Sequence, residues 1–315
     1  MITPLVLIGY AITVSTLGSA MLRRAVWPSR SPRLGIATWQ ALVLSGISAV
    51  VLAGAALALP VLPFTTDLAG LLQACATSLQ SRYATPAGAG LSTAGLMLAA
   101  GVLARGAYCL VSGVFVADQT RRRQLNALCL VAHRHRRSGA LVLDHPTALA
   151  YCLPGRRREI VLTTGALAAL SENEIQAVLA HEQAHLNGRH DLVLAAFEAM
   201  ERAFPGVSML RYARQEGAML VEMLADDAAA SGHSERLDLA TALVHLAAGR
   251  APASTLGAGG DTTVARVQRL LNPPNPVRRS RAAAILSVTG MLVLLPGALI
   301  SAPALTLVAA TYCTI

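Results

Sequence analysis

The chain has 315 residues, of which 54% are hydrophobic and 14% charged, with a formal net charge of +9. A soluble domain carries nearer a quarter charged residues, so this balance excludes an ordinary water-soluble enzyme folded around one core. The 26 basic residues are all arginine. They gather beside apolar runs, which points to membrane topology and away from direct nucleic-acid binding.

Four apolar runs reach the roughly 20 residues that a helix needs to cross a bilayer. They are 2–22, 34–60, 91–117 and 282–310, the last expected to break at Pro296 and Pro303. The first has no charged leader and no small-residue cleavage site, so it reads as a retained span. Arg23, Arg24, Arg30 and Arg33 lie between the first two runs, and only Arg82 lies between the second and third. Arg121, Arg122, Arg123, Arg134, Arg136 and Arg137 follow the third, and Arg278, Arg279 and Arg281 precede the fourth. Basic loops stay in the cytoplasm. The expected organisation is therefore 1–117 as three spans with loops, 118–281 as a cytoplasmic domain, and 282–315 as a fourth span with a short outer tail. Both termini are expected outside.

Arg105 falls midway along the third run, where it is either functional or reaches towards an interface. The five cysteines show no C-x-x-C spacing, so a cysteine zinc site is not expected. Cys75 and Cys313 share the outer, oxidising side. They are either two lone thiols or, if their Cα atoms come within about 7 Å, a disulfide. The stretch 67–80 around Cys75 has helical spacing suited to the bilayer surface.

The segment 118–281 reads as α+β. Strands are expected over 140–144, 148–153 and 159–164. The last, Glu159, Ile160, Val161, Leu162 and Thr163, is expected to be the sheet edge that holds substrate by strand addition. A helix then starts at Ser171, with Glu174 completing a capping box. A Gly/Ala/Ser-rich link lies around 251–260.

That helix contains "AVLAHEQAHLNGRHD", which holds His181, Glu182 and His185 as H-E-x-x-H. Residues four apart share a helix face, so both imidazoles can serve one metal ion. Glu182, one position round, can take a proton from a water that zinc has acidified. Two third ligands compete. Asp191 follows a glycine, though its simpler reading, favoured here, is the N-cap of a helix that begins with Leu192. Glu222 lies in "VEMLADDAAA", where Asp226 shares its face and could hold a ligand histidine from behind.

The stretch 145–191, the later Glu222-Met-Leu-Ala-Asp226 and "ARVQRLLNPPNP" (265–276) together resemble the gluzincin membrane proteases of the HtpX and BlaR/MecR types, the latter more closely. Thr147 departs from an asparagine common in relatives. The resemblance implies a four-helix transmembrane region with an inserted, mainly helical gluzincin domain carrying a small β-sheet. It implies Zn2+ on His181, His185 and Glu222, Glu182 as catalytic base, and Asp226 orienting a histidine. It further implies a protein or peptide substrate, such as a BlaI/MecI-like transcriptional repressor cleaved in signalling, or damaged membrane proteins in the HtpX manner. No penicillin-binding sensor domain follows the last span, so β-lactam binding through one is not expected. A homo-oligomer is open. A non-catalytic receptor or scaffold with structural zinc is the alternative of another class, and it leaves Glu182 without a purpose.

Overall fold

A computed structural model describes residues 2–58, 77, 80, 84–155, 157–250 and 260–312. Cys75, Cys313 and most of the 67–80 and 251–260 stretches lie outside the described residues. Four helices are long and apolar enough to cross a membrane. Helix α1 (Ile2–Arg24) contains a π-helical turn at Val14–Gly18. Helix α2 is Pro32–Ala58, α3 is Pro86–Val131 and α10 is Arg279–Tyr312.

The spans are tied by small and polar residues, as apolar side chains alone give helices in lipid little reason to associate. Tyr10 Oη lies 2.7 Å from Ser45 Oγ, and Ser45 donates to the Leu292 carbonyl at 2.6 Å. Thr38 meets Thr289 at 3.0 Å. Where α2 and α3 cross, Gly54 and Gly95 face each other: a Cβ on either would come within 2.5–2.6 Å of the other's carbonyl oxygen.

Helix α3 contains the apolar run 91–117 and continues past it to Val131, as 114–131 contains neither glycine nor proline. Its 46 residues extend about 69 Å at 1.5 Å each. One expectation about the spans is corrected: helix α10 runs unbroken through Pro296 and Pro303, a tolerance common in membrane helices. The 117/118 and 281/282 boundaries thus both fall inside helices.

After α3 come β1 (His133–Arg134), β2 (Leu141–Leu143), β3 (Ala150–Leu153) and β4 (Glu159–Thr163). The sheet order is β1-β2-β4-β3, with β4 parallel to β2 and antiparallel to β3. The expected substrate edge, Glu159 to Thr163, is therefore an interior strand. Its unbroken apolar run explains this: Val161 packs with Leu128, Leu141 and Leu153 on one face, and Leu162 with Ile175, Val178 and Leu246 on the other. A strand buried on both faces belongs inside a sheet. Thr163 is also structural, its hydroxyl donating to the Thr147 carbonyl at 2.7 Å and accepting from Ala166 N at 3.1 Å. The edge is β3.

The rest is helical: α4 (Thr164–Ala169), α5 (Glu172–Gly188), α6 (His190–Ala203), α7 (Ser208–Ala229), α8 (His233–Arg250) and α9 (Gly260–Leu271). Helix α7 packs directly on the membrane helices. Leu210, Leu220 and Val221 share one buried cluster with Ile36, Trp39 and Leu42 of α2, and Trp39 is 1% exposed. Helix α6 lies along α3. Arg105 donates to the Ala203 carbonyl, capping the negative end of α6, which gives this intramembrane charge a structural partner.

The Gly54–Gly95 contact is testable. Gly95→Leu is expected to destabilise by about 1–3 kcal/mol or more through overpacking. Gly101→Leu, at a position with nothing within 4 Å, should leave the thermal midpoint of the detergent-solubilised protein unchanged.

Candidate metal centre

Helix α5 starts as its sequence dictates. The Ser171 main chain donates to Glu174 at 2.6 Å while the Ser171 hydroxyl accepts from Glu174 N at 3.4 Å. This reciprocal cap contributes about 1 kcal/mol. Glu174 also pairs with His245 of α8 at 3.1 Å. Downstream, Arg189 takes the left-handed conformation (φ 47°) and α6 begins at once with His190. Asp191 therefore lies within the first turn of α6 and is not its N-cap. It pairs with Arg121 of α3 at 3.0 Å.

His181 and His185 project from one face of α5, with their Nε2 atoms 3.1 Å apart. Glu222 of α7 closes the group: Oε2 is 3.5 Å from His181 Nε2, and Oε1 is 3.5 Å from His185 Nε2. One ligand atom from each of the three lies within 4.8 Å of the others. A tetrahedral zinc with bonds of 2.0–2.1 Å needs ligand atoms about 3.3 Å apart. The donor set of two imidazoles and a carboxylate fits that ion in chemistry and spacing.

Each histidine is backed by a second group. Asp226, one turn along α7 from Glu222, puts Oδ1 3.0 Å from His181 Nδ1. The contact and the negative charge of the buried carboxylate together draw a proton to this nitrogen. His190 puts its Nδ1 3.1 Å from His185 Nδ1 and is 5% exposed. A Cβ at position 188 would collide with the His190 ring, so the glycine of this turn is required by close approach.

Charge follows the packing. Burial would lower the His181 pKa, but Asp226 and Glu222 beside it push it up to about 9. Burial would raise both carboxyls. His181 and Arg266 instead hold Glu222 below the usual carboxylate range, and Arg266 and His181 do the same for Asp226. Burial lowers His185, and together with the neighbouring His185 it takes His190 down to about 4. Glu182 is raised by burial, the adjacent His181 only partly opposing.

The group opens on a cleft of about 1560 Å³. Its walls include Tyr151 and Cys152 of β3, Gly113 and Val116 of α3, and Leu243 of α8. Glu182 faces this cleft with the Cys152 thiol and main chain beside it. Of the expected substrate strand, none lines the cleft; Glu159 pairs outward with Arg134 at 2.9 Å. Sequence reasoning missed His190, Cys152 and the role of Arg266. For the histidine, the signal available was its place immediately after the glycine turn.

Cys152 gives a clean chemical test. Burial and the Glu182 carboxylate push its thiol up to about 12, so it stays protonated below that pH and a poor nucleophile. Iodoacetamide at pH 8 is expected to label exposed Cys129 and spare Cys152, as read by peptide mass spectrometry.

No curated protein and no solved structure matches the chain. A family profile does match, over residues 117–230, from the polar half of α3 through the end of α7. Those residues bring His181, Glu182, His185 and Glu222 together within one matched stretch. The profile is that of peptidase family M48, so residues 117–230 are similar to a metallopeptidase domain, in a protein with four candidate membrane spans.

Proposed function

We propose that the protein is a membrane-embedded, zinc-dependent endopeptidase with its active site on the cytoplasmic side. The observation that carries this reading is the preformed group of His181, His185 and Glu222 with Glu182 next to it in an open cleft. The arginine clusters beside the spans support the sidedness. His181, His185 and Glu222 would hold the zinc, which when bound supplies a Lewis acid for the scissile carbonyl and acidifies a water.

The remaining steps belong to the chain's own side chains. Glu182, its proton affinity raised by burial, accepts a proton from the attacking water and passes it to the amine nitrogen as the C–N bond breaks. Asp226 and His190 fix the two imidazoles from behind. The edge strand β3 runs beside Glu182, to which the Cys152 main chain donates, and an extended polypeptide would lie along this edge as an added strand.

The role we favour is regulatory proteolysis of a cytosolic repressor of the BlaI/MecI kind. A second reading, quality control of membrane proteins in the HtpX manner, draws support from Gly113 and Val116. These residues of the apolar part of α3 form one wall of the cleft. Comparing the cellular proteome with and without Glu182→Gln separates the two. One or two stabilised transcription factors support regulation; broad accumulation of membrane proteins supports quality control.

Glu182→Gln should retain one zinc per chain and lose peptidase turnover by about 10²–10⁴-fold, the usual contribution of a general base. Glu222→Ala should lose most of the zinc, and Asp191→Ala should keep it, both by metal analysis after desalting. Zinc retained without Glu222 and lost without Asp191 would sink the ligand assignment.

A further inference from the structure

Helix α9 lies beyond the matched residues 117–230, yet one of its side chains enters the centre of the site. Arg266 Nε and Nη2 donate to Asp226 Oδ2 and Oδ1 at 2.8 and 2.6 Å. Its Nη1 is 2.9 Å from Glu222 Oε2, and its Nη2 lies 3.5 Å from His181 Nε2. The side chain is 11% exposed, and Asp226 is 1% exposed. One guanidinium therefore bridges the carboxylate offered to a metal and the carboxylate behind the first histidine. Only arginine has the rigid fork for this: two parallel donors for one carboxylate and a third reaching sideways to the next.

We propose that Arg266 is a positioning residue of the metal centre, holding Glu222 by Oε2 so that Oε1 is left free for the metal, and holding Asp226 against His181. The proposal rests on the zinc-peptidase reading above. It makes zinc affinity depend on α9, a helix that leads into the last span.

Docking of α9 has its own separate anchor. Arg269, one turn further, is bidentate to Asp227 at 2.6 and 2.7 Å and donates to the Ser29 carbonyl at 2.9 Å. It touches none of the three metal-facing side chains. The two arginines therefore separate positioning from mere docking.

The test uses the full chain in detergent, with zinc affinity measured by competition against a chromophoric chelator. Arg266→Lys keeps the charge but cannot span two carboxylates. It should weaken zinc binding about 10–100-fold, the usual cost of losing a group that orients a ligand. Arg269→Lys should stay within about threefold of the unaltered protein. Cobalt loaded in place of zinc should show an altered visible spectrum in Arg266→Lys alone, as the freed Glu222 changes its mode of binding. Equal losses in both variants would reduce Arg266 to a docking contact and overturn the proposal, as would unchanged affinity in Arg266→Lys. Should the lysine variant aggregate, Arg266→Gln is read in its place against the same criteria. If the unaltered protein binds no zinc, the peptidase reading itself fails, before any variant is compared.

Discussion

Two carboxylates four residues apart on one helix face repel each other, and Asp226 is buried while Glu222 is partly so, so both demand positive charge around them. The fold meets that demand from two directions. His181 on α5 contributes from one side, and Arg266 on α9 from the other. Three helices far apart in sequence are thereby drawn to one point. The cluster is high-stakes because removing any one member leaves the others buried with unbalanced charge. A bound divalent cation would take over the neutralisation that the His181 proton supplies, since that proton leaves when the imidazole becomes a ligand.

The membrane helices take part in setting that geometry. Helix α7, which carries both carboxylates, has its opposite face buried against Trp39 and Leu42 of α2. The α6 helix, which starts with His190, is gripped by α3 at both ends, through Arg121 on Asp191 and Arg105 on the Ala203 carbonyl. Each grip matches the helix macrodipole: the acid lies in the first turn and the cation at the last carbonyls. A shift of α3 along its axis would be felt at His190 and, through it, at His185.

What could be read from the sequence was local. The capping box, the H-E-x-x-H face and the shared face of Glu222 and Asp226 depend on spacing within single helices, and all three appear as the spacing requires. What could not be read was order and approach. Glu159 to Thr163 is plainly a strand, but a sequence does not say which strands flank it; its run of Ile160, Val161 and Leu162 was the neglected sign of an interior position. The length of α3 was not legible because hydropathy stops at Ala117 while helix propensity does not. Asp191 was misjudged as a cap since nothing in the sequence marks Arg189 as left-handed. Arg266 was visible within "ARVQRLL", but its task depends on α9 returning across α7, a long-range approach with no local signature.

The arginine pair on α9 and the acidic pair on α7 show how such an approach is encoded all the same. Asp226 and Asp227 are adjacent on α7 and so point to different sides of it. Arg266 and Arg269, three apart, lie on one side of α9. Only when α9 crosses at the right height does each arginine meet its own acid. A slip by one turn would leave a buried Asp226 unpaired, which costs several kcal/mol. The register of this crossing is therefore fixed by charge, where apolar packing alone would tolerate sliding. The two pairings are separate anchors: Arg269 ties α9 to Asp227 and to the Ser29 carbonyl in the first connection between spans, and Arg266 ties it to Asp226 and Glu222 at the site.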